Sequence, residues 1–421
     1  MYDVIDGKDN ESGLLAGCGP LLPTNRDGTV PLRQQIFEHV RAAGQAARTD
    51  VTRALGISAG SATTLTADLI AAGFLREVEG AARESGRGRP PVALEVVPEA
   101  HHVIGIKLSD EAHSAVLADF AGNMIAQATL ATTPTPKSVA TVLDEADALM
   151  DHLLQDAGKA LSDISAVGVG MSGIIDHDTG SVPWSPLLTT RNVEFADAFQ
   201  ERFGLPVFVD NDANVLTLAE LWFGAGRSIS DFAVVTIENG VGMGLVLDNR
   251  VFRGARGMGL ELGHTKVQLD GALCRCGQRG CLEAYLADYA LAREAATALH
   301  RSPRNLQSPT AMLEELFTQA KAGNEGARTI FRRAGRYLSV GLSNVIQLFD
   351  PGLIILSGER MQYDYLYAEE VVAEMHKMTL SEGRTPCRIE THAWGGFIWA
   401  RGASALVLSA VTDRAVGEVR A

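Results

Sequence analysis

The sequence lacks the long apolar run of a membrane-spanning segment. No stretch of the 421 residues is apolar over the roughly 18 positions that a transmembrane helix needs. The N-terminus also lacks the basic start and apolar core of a signal peptide, so Leu14–Cys18, which resembles a bacterial lipidation motif, is not expected to be lipidated. These absences predict a cytoplasmic protein without a membrane partner.

Cysteine is scarce, and its distribution argues against a disulfide framework. The chain has five cysteines, and Cys274, Cys276 and Cys281 fall within eight residues. Such crowding is typical of a metal cluster in a reduced, intracellular protein. Cys18 and Cys387 stand apart from the cluster, and we expect a thiol in a flexible tail and an ordinary buried cysteine.

Basic residues are outnumbered, which argues against a protein that coats nucleic acid. Lys and Arg total 37 against 51 Asp and Glu, giving a net charge of −14. From Pro31 to Val97 acids and bases nearly balance, so a DNA-binding domain is possible there. A hydrophobic content of 46% in a chain of this length is enough for two or three packed cores.

Apolar periodicity divides the N-terminal quarter into a tail and a small domain. Residues 1–28 are rich in Gly, Asp and Pro, which predicts a flexible tail. Residues 29–97 predict three helices, the third capped by Ser58, and then two strands separated by a basic segment. This order is typical of a winged helix-turn-helix DNA-binding domain, with a helical protein-interaction domain as the alternative.

The expected DNA contacts are hydroxyls on the third helix and arginines on the wing. Ser61, Thr63 and Thr64 lie on a helix that has no Arg or Lys to pair with guanine. Arg87 and Arg89 lie at the wing, where they can contact phosphates or a narrow minor groove. We expect operator DNA as a partner, bound by a homodimer or tetramer.

Residues 98–421 predict an α/β domain of two lobes, because strand patterns alternate with helices. The strand at 206–210 runs into Asn211 and Asp212, and ligand sites in α/β proteins open at such strand ends. Asp210 and Glu220 are expected to be structural.

Three segments of this domain resemble the ROK family of sugar repressors and sugar kinases: Val207–Gly226, Glu238–Gly263 and Leu273–Tyr285. The most specific match is the sequence CRCGQRGCLE at 274–283. The resemblance extends over nearly the whole chain, including a winged helix typical of the repressor branch. It implies an actin-like, sugar-kinase-like α/β fold and a sugar-responsive transcriptional repressor of the xylose, N-acetylglucosamine or glucose-regulon type.

A histidine completes the cysteine cluster. His264 precedes Cys274 by ten positions, and glycines between the cysteines permit the chain reversal that aims three sulfur atoms at one point. One nitrogen and three thiolates suit a single structural Zn²⁺ per chain, held by His264, Cys274, Cys276 and Cys281. The alternative is a group of buried or redox-active cysteines.

The resemblance assigns sugar contacts to five positions, and this chain has matching residues at all of them: Asn211, Asp212, Glu261, His264 and Glu283. Carboxylates accept hydrogen bonds, and the amide of Asn both accepts and donates them, so together they match sugar hydroxyls, which do both. A zinc ion on one ring nitrogen of His264 would fix the other as an N–H donor toward the sugar. Ser172–Gly173 is a further candidate, and the expected effector is a sugar or a sugar phosphate.

Both phosphate loops of the ROK kinases are altered in this sequence. Lys107–Glu111 replaces the Asp-x-Gly-Gly-Thr loop without any glycine and with two acids, and Glu238–Gly242 brings another acid to the second loop. Two like charges about 4 Å apart repel by roughly 4 kcal/mol near a protein surface, so these acids oppose ATP. Asp212, at the general-base position of the kinases, fits ligand sensing, and no catalytic residue is expected.

Two other functions remain compatible with the sequence. The first is an ATP-dependent hexose kinase with a fused regulatory DNA-binding domain, which the altered phosphate loops disfavour. The second is a repressor whose effector is a partner protein. Direct sugar binding by the purified protein would distinguish that repressor from one controlled by sugar.

Overall fold

The computed structural model of the chain describes residues 5–6, 17–22, 30–79, 92–298, 309–358, 361, 369–380, 382–383 and 385–417. The chain divides into two units. The larger unit comprises residues 13–230, 246–258 and 396–421, and the smaller unit comprises residues 1–12, 231–245 and 259–395. The first strand, β1 (Ile5–Asp6), belongs to the smaller unit.

The N-terminal part of the larger unit has the elements of a winged helix. These are α1 (Leu32–Ala43), β2 (Gln45–Ala47), α2 (Arg48–Leu55), α3 (Ala59–Ala71), β3 (Leu75–Glu79) and β4 (Val92–Val96). The strands pair antiparallel in the order β2-β4-β3. Ser58 caps α3 as predicted, because its side chain accepts a hydrogen bond from the backbone N–H of Ser61 at 3.0 Å. Arg87 and Arg89 lie outside the described residues.

A five-stranded sheet follows in the same unit. Its strands and the neighbouring elements are β5 (His102–Leu108), β6 (Ala112–Asp119), β7 (Met124–Ala131), α4 (Val139–Ala157), β8 (Ile164–Met171), β9 (Ile174–Asp176), β10 (Ser181–Trp184), α5 (Phe195–Phe203), β11 (Val207–Asn211) and α6 (Asp212–Phe223). The order is β11-β8-β5-β6-β7, with β11, β8 and β5 parallel. The carboxyl ends of these three parallel strands therefore meet at one edge of the sheet.

The smaller unit repeats the pattern of parallel strands joined to a hairpin. The elements that follow α6 are β12 (Phe232–Ile237), β13 (Val241–Leu247), β14 (Arg250–Phe252), α7 (Glu283–Leu286), α8 (Asp288–Ala298), α9 (Pro309–Lys321), α10 (Glu325–Phe349), β15 (Leu353–Ser357), α11 (Glu369–Met378) and β16 (Arg388–Ala393), of which β14 belongs to the larger unit. The sheet of the smaller unit places β1, β16, β15, β12 and β13 side by side, with the first four parallel.

The last helix, α12 (Ile398–Thr412), packs directly on the sheet of the larger unit. Gly105 and Gly168 make this contact possible, because a Cβ atom at either position would overlap backbone atoms of Ala400 or Ala403. The core on the sheet includes Ile104, which is fully buried. The two-lobed α/β architecture predicted from the sequence is therefore confirmed.

The segment 17–22 is packed against other parts of the larger unit, although the sequence predicted a flexible tail there. Cys18 is only 2% exposed, so it is not a tail thiol. Its backbone N–H donates to the carbonyl of Arg41 at 3.1 Å, and that of Gly19 donates to the carbonyl of Trp222 at 2.9 Å. This segment is held by hydrogen bonds to residues far from it in the sequence, and hydrophobic periodicity does not reveal such contacts. Among the described residues, no helix is both long and apolar enough to cross a membrane.

Candidate functional site

Asn211 and Asp212 lie at the carboxyl end of β11, where the helix α6 begins. The Asn211 side chain caps α6 by accepting from the N–H of Ala213 at 2.8 Å, and its amide donates to the carbonyl of Gly173 at 2.8 Å. Asn211 therefore ties the loop after β8 to the start of α6, so that two segments expected near the sugar are held together.

The buried carboxylate of Asp210 stabilises this strand end. Asp210 is 1% exposed and accepts from the Arg253 guanidinium at 2.7 Å. It also accepts from the backbone N–H of Asn211 and from the amide of Asn214, both at 2.8 Å. Because the charge is paired and both oxygens are hydrogen-bonded, Asp210 fits the structural role expected for it. The part played by Arg253 was missed in the sequence.

Lys107 and Ser172 surround the carboxylate of Asp212. The Lys107 Nζ lies 3.3 Å from Asp212 Oδ2, and the Ser172 hydroxyl donates to the same oxygen at 2.5 Å. Burial by itself raises the pKa of the Asp212 carboxyl, but the charge of Lys107 and the bond from Ser172 outweigh it and hold that pKa below its usual value. Asp212 is therefore an ionised hydrogen-bond acceptor near neutral pH.

The smaller unit gathers the four predicted metal ligands. One ligand atom from each of His264, Cys274, Cys276 and Cys281 lies within 4.8 Å of the others. Cys274 Sγ is 3.6 Å from His264 Nδ1, and the sulfur atoms of Cys276 and Cys281 are 3.7 Å apart. Tetrahedral zinc with bonds of about 2.3 Å separates two sulfurs by roughly 3.8 Å, so the cluster could hold such an ion.

The chemistry of the cluster also favours a cation. Burial raises the pKa of the Cys274 thiol to about 12, so the thiol keeps its proton at neutral pH unless a cation takes its place. Gly280 allows the close turn of the knuckle, because its φ is +76° and a Cβ atom there would overlap the carbonyl of Gln268.

Glu283 connects this cluster to the start of β13. One oxygen of its carboxylate accepts from the backbone N–H of Val241 at 3.4 Å, and the other lies 3.5 Å from Cys274 Sγ and 3.4 Å from the Tyr289 hydroxyl. Glu261 precedes the short turn that ends at His264, whose N–H donates to the Glu261 carbonyl at 3.0 Å. The structure thus places three of the five expected sugar-contacting residues within the smaller unit.

Lys107–Glu111 and Glu238–Gly242, the segments expected to match the kinase phosphate loops, each contain a backbone amide that already has an acceptor. The N–H of Ser109 donates to Nδ1 of His113 at 3.1 Å, and the other nitrogen of that ring lies 2.9 Å from Glu145. Burial lowers the pKa of His113, which is consistent with a neutral ring that accepts at Nδ1. In the smaller unit, the N–H of Val241 faces Glu283, as described above.

Arg41 is a buried arginine through which the winged helix contacts the rest of the larger unit. Arg41, on α1, is 3% exposed, and its guanidinium lies 4.6 Å from the ring centre of Trp222, near the end of α6. It also donates to the Thr412 hydroxyl at 2.8 Å. Arg227 adds a second tie by donating to the carbonyl of Ala42 at 2.6 Å. Long-range contacts of this kind give no signal in the sequence.

An aromatic cluster surrounds the connection between the winged helix and the sheet. The rings of Phe37 and Phe120 are 4.8 Å apart, and that of His101 lies 4.8 Å from Phe120 and 6.0 Å from Phe74. Because these rings come from both sides of the connection, the winged helix is packed onto the rest of the larger unit rather than tethered to it by a free linker.

The proposed DNA-contacting hydroxyls lie on the exposed face of α3. Ser61, Thr63 and Thr64 are exposed, whereas Thr66 is fully buried and accepts from Arg48 at 2.9 Å. The Thr63 hydroxyl also donates back to the carbonyl of Ala59 at 2.8 Å. Three hydroxyl-bearing residues of the third helix are thus available to a ligand of the size of DNA.

Curated relatives of the chain are transcriptional regulators. The xylose repressor of Caldicellulosiruptor bescii is 28% identical over 333 residues, which cover 77% of this chain and 82% of the relative. The DNA-binding transcriptional dual regulator NagC of Escherichia coli is 27% identical over 359 residues, which cover 83% of this chain and 86% of NagC.

Solved structures with the same fold include a regulator and a kinase. A ROK family transcriptional regulator, a homologue of the E. coli MLC protein, superposes with a TM-score of 0.76 at 24% identity and covers 91% of this chain and 96% of its own. A ROK family glucokinase from Streptomyces griseus, in complex with glucose and AMPPNP, has a TM-score of 0.62 at 28% identity, over 72% of this chain and 98% of the kinase. The ROK family profile matches residues 103–410, and the chain therefore belongs to the ROK family.

Proposed function

We propose that the protein is a transcriptional repressor that binds operator DNA through its winged helix and changes its affinity for that DNA when a sugar binds. Relatives named as xylose repressor and as the regulator NagC support this proposal. Asn211, Asp212, Glu261, His264 and Glu283 are the proposed sugar contacts. The effector is a sugar or sugar derivative.

The main support for this proposal is the position of one helix, α6. The helix α6 begins at Asp212, in the proposed sugar site, and ends next to Trp222, on which Arg41 of the winged helix is stacked. Every residue from Ala213 to Phe223 is buried, so the helix is packed along its length. A ligand that shifts the start of α6 would therefore change the position of the DNA-binding winged helix. It can do so only if it binds one of the two positions of α6 more tightly than the other.

The contacts with DNA are proposed for α3 and the wing. Ser61, Thr63 and Thr64 would face the bases, and Arg87 and Arg89 would contact phosphates. A homodimer or tetramer would place two reading heads on half-sites about one helical turn, or a multiple of it, apart. Sedimentation of the protein with and without a two-fold-symmetric DNA site would test this stoichiometry.

The cluster of His264, Cys274, Cys276 and Cys281 is proposed to hold one structural Zn²⁺. The donor set and the spacing of its atoms, described above, support this assignment. The ion would fix the position of the Cys274–Cys281 knuckle, and with it the start of α7, where Glu283 lies. The proposed role of the metal is therefore to shape the site.

We also propose that the protein does not phosphorylate sugars. A phosphate loop binds nucleotide through backbone N–H groups that point at the anion. Here the N–H groups of Ser109 and Val241 are engaged by His113 and Glu283. ADP release over a panel of hexoses should stay at background, and turnover that Asp212→Asn abolishes would instead favour the fused hexose kinase.

The main experiment measures DNA binding with and without sugar. DNA sites selected by the purified protein from a random pool are titrated by fluorescence anisotropy in the presence of xylose, N-acetylglucosamine, glucose and their phosphates. We expect one of these compounds to change the affinity by roughly 5–150-fold. No change with any sugar, together with no direct sugar binding, would instead favour control by a partner protein.

A further inference from the structure

Lys107 lies at the carboxyl end of β5, beside the proposed sugar-binding residue Asp212. We infer that Lys107 itself binds the effector, and that Lys107 and Asp212 together hold one hydroxyl of an uncharged sugar. A hydroxyl can accept one hydrogen bond and donate another, so it can bridge an ammonium group and a carboxylate. The inference rests on the proposed function, since it specifies how that sugar is recognised.

Three neighbouring parallel strands bring these groups together. Lys107 belongs to β5, Ser172 follows β8, and Asp212 follows β11, and the register aligns Lys107 with Gly170 and Asn211 with Met171. The carboxyl edge of parallel strands is where α/β proteins bind ligands. The pair therefore lies at a position suited to a ligand rather than in the interior of the sheet.

The ammonium group of Lys107 is only partly satisfied by the protein. Its three donors meet Asp212 Oδ2 at 3.3 Å and the face of Trp399, with Nζ 5.0 Å from the ring centre. The contact with Asp212 is longer than the about 2.7–2.9 Å of a tight charged hydrogen bond. Within the described part of the chain, no other acceptor lies within hydrogen-bond distance of this Nζ. One donor therefore remains for a ligand oxygen.

A second buried lysine in the same unit shows what a purely structural pair looks like. Lys137 reaches both oxygens of Glu145, at 2.7 and 2.9 Å, and also contacts the Thr132 hydroxyl. The side chains of Lys137 and Lys107 are equally exposed, at 11%. The two lysines therefore differ in how many of their N–H donors have acceptors. Lys137 has three oxygen partners at hydrogen-bond distance, and Lys107 has one.

The charges around Lys107 favour an uncharged sugar over a sugar phosphate. Asp212 neutralises the ammonium group at 3.3 Å. The turn that follows β5 adds two carboxylates, Asp110 and Glu111. A phosphate would be repelled by these acids, whereas a neutral hydroxyl gains a donor and an acceptor without this penalty.

The test compares Lys107→Met with Lys137→Met by isothermal titration of xylose, N-acetylglucosamine, glucose and glucose 6-phosphate into the full-length protein. Each substitution removes one equally buried lysine from an ion pair. We expect Lys107→Met to weaken binding of the sugar that wild type binds by roughly 10-fold or more, since the lost hydrogen bond involves a charged donor. Lys137→Met should bind that sugar as wild type does, although the melting temperature of both variants should fall.

Each outcome is decisive for the inference. Wild-type affinity in Lys107→Met, or an equal loss in both variants, would overturn it. If Lys107→Met does not fold, Lys107→Gln takes its place, since it keeps a donor without the charge. Weaker sugar binding in that variant would support the contact with the ammonium group, and full sugar affinity would overturn it. Tighter binding of glucose 6-phosphate than of any free sugar would overturn the uncharged class. If wild type binds none of the four compounds, the proposed function itself fails. This result differs from failure of the inference, in which wild type binds a sugar and Lys107→Met binds it equally well.

Discussion

The two units stabilise their candidate binding residues by different means. In the larger unit, the polar groups at the strand ends are paired with one another, as Asp210 is with Arg253 and Asp212 with Lys107. In the smaller unit, three sulfur atoms and one imidazole nitrogen converge within 4.8 Å. Lys266, whose Nζ lies 3.1 Å from Cys281 Sγ, offers one positive charge at the side of this cluster.

This difference predicts that the smaller unit depends on a bound metal ion and that the larger unit does not. Paired side chains need only the fold that brings them together, whereas converging thiolates need a metal ion to offset their mutual repulsion. The winged helix belongs to the larger unit and packs on the rest of it. We therefore expect DNA binding without sugar to depend on the larger unit, and the response to sugar to depend on both.

The largest effect is expected from loss of the metal. Cys276→Ser should reduce the zinc content, measured by mass spectrometry, from about one ion per chain to near zero, and should lower the melting temperature strongly. Structural zinc contributes an apparent 10–16 kcal/mol or so in small zinc-finger peptides. Cys387→Ser is the matched control, since Cys387 is buried outside the cluster. Folded, sugar-responsive protein without zinc would contradict the metal assignment and remove the contrast between the units.

The next effect concerns the contact between α6 and the winged helix. Trp222→Leu removes the ring on which Arg41 is stacked, 4.6 Å away. The change of DNA affinity caused by sugar should then fall from roughly 5–150-fold toward none, while sugar binding by titration persists. Trp222→Phe keeps an aromatic face and should retain part of the response. A full response in Trp222→Leu would show that the signal does not pass through this contact.

A third change tests the smaller unit alone. Glu283→Ala should weaken sugar binding by about 10-fold or more, because it removes a charged acceptor, and should abolish the response of DNA binding to sugar. Binding to DNA without sugar should remain near wild type. Glu283→Gln keeps the shape of the side chain and separates loss of charge from loss of packing. Loss of DNA binding in Glu283→Ala would assign the residue a structural role, and an unchanged response would place the ligand elsewhere.

The smallest effect is expected at the wing. Replacing Arg87 and Arg89 by Ala should weaken DNA binding and reduce the slope of log affinity against log salt by about two, since each phosphate contact contributes roughly 0.9. Arg191→Ala, an exposed arginine of the larger unit outside the winged helix, should leave the slope unchanged. An unchanged slope in the double variant would show that the wing does not contact phosphate.

The sequence by itself determined the elements and the metal cluster. Apolar periodicity predicted the three helices of the winged helix and two of its three strands, because the buried face of an element leaves a period of its own; the short strand β2 was missed. The four candidate metal ligands could be found because they lie within 18 residues, from His264 to Cys281, so that local turns bring them together. The two-lobed α/β architecture followed from the alternation of strands and helices.

Only the tertiary structure decided which distant side chains meet. Lys107 and Asp212 are 105 residues apart, and the order of β5, β8 and β11 in the sheet makes them neighbours. Arg41 and Thr412 are 371 residues apart and form a buried hydrogen bond. Cys18, expected in a tail, is buried because its segment packs on other parts of the larger unit. Periodicity reports that a face is buried but not what covers it, since that depends on contacts between residues far apart in the chain.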